Sequence, residues 1–140
     1  MINELTDFNK FIKGRVKYRF YIKPFEKLNK NVLVCILKSK NDLNFVSDGA
    51  LAGYGYFYNV EKTSGVLVFS HYDLCNEIIV HELVHASNHF VKRFGDKINI
   101  DFAGKLSKSA KNEEKVCYTA QFLYTELVNK LNNIGYYQLV

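Results

Sequence analysis

The chain has 140 residues, of which 48% are hydrophobic and 24% are charged. This size and composition are typical of one folded domain and exclude a largely disordered protein. The formal net charge is +5, and all but three of the 19 basic residues are lysines spread along the chain. Dispersed lysines with few arginines argue against nucleic acid as the main partner.

The apolar and cysteine patterns indicate where the protein resides. The longest apolar run, Val32 to Leu37, is too short for a membrane helix of about 20 residues. The first 15 residues lack the apolar core of a signal peptide. Three widely spaced cysteines without CxxC spacing indicate neither a disulfide framework nor a zinc ribbon. We therefore expect a cytoplasmic protein without a membrane partner, in which Cys35 and Cys117 are small core residues; the oligomeric state stays open.

The first half of the chain predicts β-strands. The segments Val16 to Lys23 and Asn31 to Ser39 are rich in β-branched and aromatic residues and are bounded by turn formers. The segments Tyr54 to Val60 and Gly65 to Ser70 flank a short loop and predict a β-hairpin. Alternate aromatic rings in the stretch GYGYFYN should pack on the sheet.

The second half predicts two helices. From Leu74 to about Phe94 the apolar residues recur at spacings of three and four, with Asp73 as the expected N-cap and Gly95 as the expected end.

A second helix is predicted from about Asn112 to Leu131, with two acidic residues, Glu113 and Glu114, in its first turn. Strands followed by helices predict an α+β fold. We expect one domain over residues 1–140, with an N-terminal antiparallel or mixed sheet packed on both helices.

His81, Glu82 and His85 form the sequence H-E-x-x-H within the first predicted helix. Residues four apart on a helix are neighbours, so both imidazoles can reach one metal ion, while Glu82 can act on a water molecule without being a ligand. Burying these side chains without a metal or other partners would be costly. The alternative is an ordinary helix that carries two surface histidines. The motif favours a Zn²⁺ site with Glu82 as the catalytic residue.

A catalytic zinc usually has three protein ligands, and His89 is the nearest further histidine. On an unbroken helix it lies about 12 Å along the axis from His81, which is too far for one ion. The three-histidine pattern H-E-x-x-H-x-x-G-x-x-H has a glycine where this chain has Asn88. We therefore expect His89 to support a ligand, to face the substrate, or to be exposed.

Two segments, VHELVHA and NEEKVCYTAQFLY, resemble zinc metallopeptidases of the zincin type that use a glutamate as third ligand, the gluzincins. They are most similar to small metallopeptidases of bacteriophages, in which H-E-x-x-H-A is followed by E-x-x-A-Y at a helix start. The resemblance covers about residues 76–127 and implies a small zincin-like domain. It implies His81, His85 and Glu114 as zinc ligands, with Glu113 as the alternative third ligand. Cys117 stands where the family often has alanine.

The resemblance also implies an activity, the hydrolysis of peptide bonds with Glu82 as general base. Zincins hold an extended peptide on the strand at the sheet edge beside the helix, and we expect Gly65 to Ser70 to be that strand. The group that stabilises the oxyanion is left open among four candidates, Tyr118, His89, His71 and Tyr137.

Two other functions remain as alternatives. The chain could be a binding or regulatory module that retains zinc without turnover, or a nucleic-acid-associated protein in which the lysines matter more. If the chain is phage-encoded, its cytoplasm is that of the host.

Overall fold

The computed structural model describes residues 5–45, 50–57, 62–101 and 104–136. The helices and strands in chain order are α1 (Leu5–Ile12), β1 (Val16–Ile22), β2 (Asn31–Leu37), β3 (Ala52–Tyr56), β4 (Thr63–Ser70), α2 (Asn76–Phe94) and α3 (Lys108–Asn133). Two short 3₁₀ helices span Lys40–Phe45 and Gly95–Lys97. The described residues thus have an α+β fold, as predicted. None of these helices is long and apolar enough to cross a bilayer.

The strands of the described chain form one mixed sheet in the order β1-β2-β4-β3. The β1–β2 and β3–β4 pairs are antiparallel, whereas β2 and β4 are parallel. Every residue of β4 is buried. A strand that lies between two others and has both faces covered is buried along its length, and it therefore carries a continuous apolar run. The expectation that Gly65 to Ser70 forms the sheet edge is therefore wrong. The edge strand on that side of the described sheet is β3.

The predicted hairpin is confirmed by the pairing of β3 with β4, which runs from Ala52 opposite Phe69 to Tyr56 opposite Gly65. The first strand of the pair starts two residues earlier than predicted. Its predicted last part, residues 58–60, lies outside the described residues.

Each face of the sheet is covered by helices. One face packs on α2 and α3, and its core includes Val34, Ile36, Leu67, Phe69, Ile79, Leu83, Phe90, Leu123 and Leu127. The other face packs on α1 and the first 3₁₀ helix, with Leu33, Cys35, Leu37, Val66, Val68, Phe8, Ile12 and Leu43 in its core. Neighbouring residues of β2 and β4 alternate between the two cores, as a strand's period of two requires.

The sequence analysis missed α1, because it assigned the first half of the chain to strands. Phe8 and Ile12 are four residues apart, so they share one helix face, and each is only 2% exposed. That buried pair explains why this short segment is helical: the helix covers a sheet face that would otherwise meet water.

The ends of α2 differ partly from the prediction. Cys75, and not Asp73, is the N-cap residue, and its side chain makes no capping hydrogen bond. The helix ends at Gly95 as predicted. Gly95 keeps a right-handed helical conformation, with φ of −57°, and leads directly into the 3₁₀ turn.

α3 begins about one turn before the predicted start, because Ser107 caps it. The Ser107 hydroxyl oxygen accepts a hydrogen bond of 3.1 Å from the backbone N–H of Ala110. Glu113 and Glu114 consequently lie beyond the first turn, which contains no acidic residue, so the expected placement is wrong. Cys117 is exposed and is not a core residue, whereas Cys35 is buried as predicted.

α2 and α3 run antiparallel against each other. The Tyr124 hydroxyl donates to Asn76 Oδ1 at 3.4 Å, at the start of α2, and Lys115 Nζ donates to the carbonyl of Gly95 at 2.8 Å, at its end. The start of α3 therefore lies beside the end of α2.

Candidate functional site

The H-E-x-x-H residues lie in the first half of α2. The apolar face of this helix, formed by Ile79, Leu83, Ala86 and Phe90, is buried against the sheet and α3. His81 and His85 follow each other at one helical turn on the exposed side, and Glu82 lies between them and the core. The helix thereby directs the three polar side chains to the boundary between the core and solvent.

The two imidazoles are close neighbours. Their ring centroids are 5.0 Å apart and the planes meet at 71°. The His81 side chain is 68% exposed, so its nitrogens are accessible from solvent. Two accessible imidazoles at this separation are suited to binding one cation.

Glu82 has a different environment from the histidines. The residue is only 7% exposed, and its Oε1 lies 3.8 Å from His81 Nε2. Burial raises the pKa of the Glu82 carboxyl, and the positive charge that His81 and His85 can carry opposes this effect. A buried carboxyl with a raised pKa beside two imidazoles is suited to proton transfer.

A cleft separates this part of α2 from the edge strand β3. Its central part has a volume of about 380 Å³ and is lined by Gly53, Tyr54, Tyr56, Glu82, His85 and His89. A second depression of about 350 Å³ continues past Glu82 and is lined by Leu51, Ala52, Glu77, Ile78, His81 and Glu82. Glu82 belongs to both, so the carboxyl lies at the middle of a groove that follows the strand.

His89 forms one wall of the cleft, held by two tyrosines of β3. Its Nδ1 lies 2.6 Å from the Tyr54 hydroxyl, and its ring stacks on Tyr56 with centroids 4.5 Å apart. Burial, and to a lesser degree the charge of Arg93, lowers the pKa of His89 to about 4. His89 is therefore neutral at pH 7.

His89 Nε2 is buried and has no hydrogen-bond partner among the described residues. Of the three roles expected for His89, exposure at the surface is excluded. Its contacts are with Tyr54 and Tyr56, so the expected support of a metal ligand and the expected position facing the substrate stay predictions.

No protein-family model, no curated protein and no solved structure matches this chain. The similarity to gluzincins is therefore an interpretation of the motif residues.

The assignment of Glu114 as third ligand stays a prediction. Glu114 is exposed on α3, next to Lys115, which reaches Gly95. Glu113 lines a separate depression between the end of α2 and the start of α3. In the described ranges no three His, Cys, Asp or Glu side chains are grouped to hold one metal ion.

The structure also locates the remaining oxyanion candidates. Tyr118 is exposed on α3 and does not line the cleft. His71 follows β4, where its Nδ1 lies 2.5 Å from the Tyr136 hydroxyl and its Nε2 lies 3.2 Å from Lys17 Nζ. Tyr137 lies outside the described residues.

The sequence analysis did not identify Tyr54 and Tyr56 as cleft residues, since it expected them to pack on the sheet. Their spacing of two places both rings on one side of β3, and glycines occupy the positions before each of them. This spacing could have indicated that the two tyrosines share one surface. It indicates a cleft only once β3 is known to be the edge strand beside α2.

Proposed function

We propose that this chain is a zinc-dependent metallopeptidase in which His81 and His85 bind the ion and Glu82 is the general base. The observation that carries the proposal is the grouping of two accessible imidazoles and a buried carboxyl at one cleft beside an edge strand. Both histidines are exposed, as the alternative of an ordinary helix with two surface histidines also requires, so the proposal rests on the buried Glu82 carboxyl and on the cleft beside it.

His81 and His85 can supply two of the three protein ligands that a catalytic zinc site has. Two neutral imidazoles and one carboxylate are the usual combination, and the motif similarity gives Glu114 as the carboxylate. Among the described residues Glu114 does not form a group of three potential metal ligands with the histidines. Binding of the zinc ion by Glu114 is therefore a separate part of the proposal, and the Glu114→Gln variant tests it.

The chemistry that zinc supplies at such a site is Lewis-acid activation of a water molecule and of a carbonyl group. Glu82 accepts the proton of the attacking water and delivers it to the leaving amine. Burial suits Glu82 to the first step, because a raised pKa makes its carboxylate a stronger base than a fully solvated carboxylate, and the carboxyl that results can still donate its proton to the more basic leaving amine.

An extended peptide is the substrate class that the cleft favours. Within the part of the chain that the structure describes, β3 pairs only with β4, so its other edge can hydrogen-bond to a peptide backbone by strand addition. The groove past Tyr54, Glu82 and Ile78 follows that edge. A peptide bound there passes directly in front of the Glu82 carboxyl.

The metal part of the proposal is tested by measuring bound zinc by mass spectrometry on protein purified without a metal-affinity tag. We expect about one zinc per chain in the parent and loss of zinc in His85→Ala. His71→Ala is the matched control, because it removes a histidine outside the cleft, and it should retain zinc. Loss of zinc in Glu114→Gln would identify the third ligand, whereas its retention would exclude Glu114.

The catalytic part is tested by peptide hydrolysis with a library of fluorogenic peptides. Glu82→Gln should keep the zinc and lose activity by at least about 100-fold, because only the general base is removed. A zinc-containing parent that cleaves no peptide would favour the binding or regulatory module. A parent that binds no zinc, even when the ion is added, would exclude both functions.

A further inference from the structure

The groove beside β3 consists of two depressions that differ in chemistry. The depression that contains His89 has aromatic walls. The other, of about 350 Å³, reaches the first turn of α2 and has an aliphatic lining with a carboxylate in addition to that of Glu82. We call it the Glu77 subsite, and its lining residues are Leu51, Ala52, Glu77, Ile78, His81 and Glu82.

The aliphatic part of the Glu77 subsite is partly open to solvent. Leu51 is exposed, and Ala52 and Ile78 are half-buried. Both half-buried side chains also pack against the core between the sheet and the helices, which holds them in place. Lysine and arginine cover apolar surface with their alkyl chains while the charged group stays in water. This surface is therefore suited to the alkyl part of such a side chain.

The Glu77 carboxylate is available to a cation that enters the subsite. It is exposed, and among the residues that the structure describes it forms no hydrogen bond and no ion pair. The residue best placed to pair with it is His81, four positions later on the same helix. That imidazole is turned to the other carboxylate, since its Nε2 lies 3.8 Å from Glu82 Oε1.

The two depressions follow the repeat of an extended chain. In a strand, every second side chain lies on the same face, and β3 itself contributes Ala52 to one depression and Tyr54 to the other. A peptide that pairs with β3 has the same repeat, so two of its side chains, two residues apart, can enter the two depressions. Glu82 lines both. The side chain in the Glu77 subsite therefore belongs to a residue close to the bond in front of Glu82.

We propose that the Glu77 subsite selects peptides with a lysine or arginine within two residues of the cleaved bond. The alkyl chain of that residue packs on Leu51 and Ile78, and its cationic group meets the Glu77 carboxylate. A glutamate at the same position is repelled by Glu77. This inference rests on the proposed peptidase function, because it names the substrates that the same cleft selects.

The first experiment measures peptide binding by fluorescence anisotropy with the full chain in EDTA, so that no hydrolysis is needed. Three peptides differ at one position, which is lysine, norleucine or glutamate, and both ends are blocked so that lysine is the only cation. Norleucine is the matched control, because it has an alkyl chain without the ammonium group. We expect the lysine peptide to bind about three- to fivefold more tightly than the norleucine peptide, and the difference to shrink with added salt.

Equal binding of the lysine and norleucine peptides would overturn the proposal, as would the absence of any binding at millimolar concentration. Tightest binding of the glutamate peptide would overturn it as well.

Variants of Glu77 test whether this carboxylate is responsible. Glu77→Gln should remove the preference for lysine over norleucine, and Glu77→Lys should reverse it in favour of the glutamate peptide. The preference is a ratio measured on one protein, so it does not depend on how much of a variant is folded. The control is Glu113→Gln, which removes the same charge from an exposed position of α3 outside the groove. An equal loss of preference in the control would mean that net charge attracts the peptide, which contradicts a defined subsite.

Hydrolysis of the same peptides by the zinc-loaded protein separates the subsite from the peptidase function. We expect kcat/KM to be about three- to fivefold higher for the lysine peptide, and the cleaved bond, located by mass spectrometry, to move with the lysine when its position is changed. Tighter binding of the lysine peptide without cleavage would exclude the peptidase function and keep the subsite. Equal cleavage of the lysine and norleucine peptides would keep the peptidase function and exclude the subsite.

Discussion

The hydroxyl of Tyr54 and Nδ1 of His89 lie 2.6 Å apart, and this hydrogen bond joins the edge strand β3 to the H-E-x-x-H helix. Tyr56 stacks on the same imidazole, with an angle of 17° between the planes. His89 is therefore held by two side chains of one strand. These contacts set the position of β3 relative to Glu82, and so the width of the cleft.

Gly65 should be essential to this arrangement. A Cβ atom at that position would overlap the hydroxyl and ring of Tyr54, and Tyr54 cannot move away without losing its bond to His89. We expect Gly65→Ala to lower the free energy of unfolding by about 1–3 kcal/mol, measured by urea denaturation. The control is Gly55→Ala, whose Cβ would meet its nearest neighbour, Val66 Cγ1, at an ordinary 3.8 Å. Equal stability of the two variants would contradict the close packing of Tyr54.

His89 should make stability depend on pH. Its pKa is lowered to about 4 in the folded chain, mainly by burial, whereas an unfolded histidine has a pKa of about 6.5. Between these values the unfolded chain binds a proton that the folded chain does not, so stability falls as the pH decreases from about 6.5 to about 4. Urea denaturation at several pH values should show a smaller decline in His89→Asn. If the stability of the parent and of His89→Asn declines equally, ionisable groups other than His89 cause the decline.

The sequence was sufficient for features that depend on local spacing. The α+β class, α2 with its end at Gly95, and the β3–β4 hairpin follow from periodicity and turn residues alone. The proximity of His81, Glu82 and His85 also follows, because a helix fixes the geometry of residues at that spacing.

The features that failed depend on neighbours distant in the chain. Whether the Gly65 to Ser70 strand is an edge depends on the parallel β2–β4 pairing, and the only local signal of an inner strand is the continuous apolar run from Val66 to Phe69, which the sequence analysis did not use. The role of Glu114 stays a prediction, because its position relative to the histidines depends on how α3 packs along α2, which no local pattern in the sequence specifies. The Ser107 cap is a local signal that the sequence analysis overlooked.

Glu82 should destabilise the metal-free protein. Its carboxyl is nearly buried and its pKa is raised, so the folded chain disfavours the charged form relative to the unfolded chain, and the stability contribution is lost as pH rises through that pKa. In EDTA we expect Glu82→Gln to raise the Tm by roughly 2–5 °C, about 1 kcal/mol. Glu113→Gln, at an exposed position of α3 beyond its first turn, should leave the Tm unchanged. A lower Tm for Glu82→Gln would mean that the carboxylate stabilises the metal-free fold.

The start of α3 should depend on its cap. Ser107→Ala removes the acceptor for the Ala110 backbone N–H, so it should lower the free energy of unfolding by about 1 kcal/mol. Ser109→Ala removes a hydroxyl two residues further on, at an exposed position inside the helix, and should have little effect. The free energy of unfolding of both variants is measured by chemical denaturation, which circular dichroism follows. An equal loss of stability in Ser107→Ala and Ser109→Ala would mean that the helix does not start at Ser107.

The cysteines provide a test of how α3 is oriented. Cys117 is exposed, whereas Cys35 is fully buried and burial raises its pKa to about 12. Because the thiolate is the reactive form, the native protein should react quickly with a disulfide reagent at Cys117, more slowly at the half-buried Cys75, and at Cys35 only after unfolding. Cys117→Ser should remove the fast phase seen by absorbance. A fast phase that persists in Cys117→Ser would mean that α3 turns a different face to the solvent.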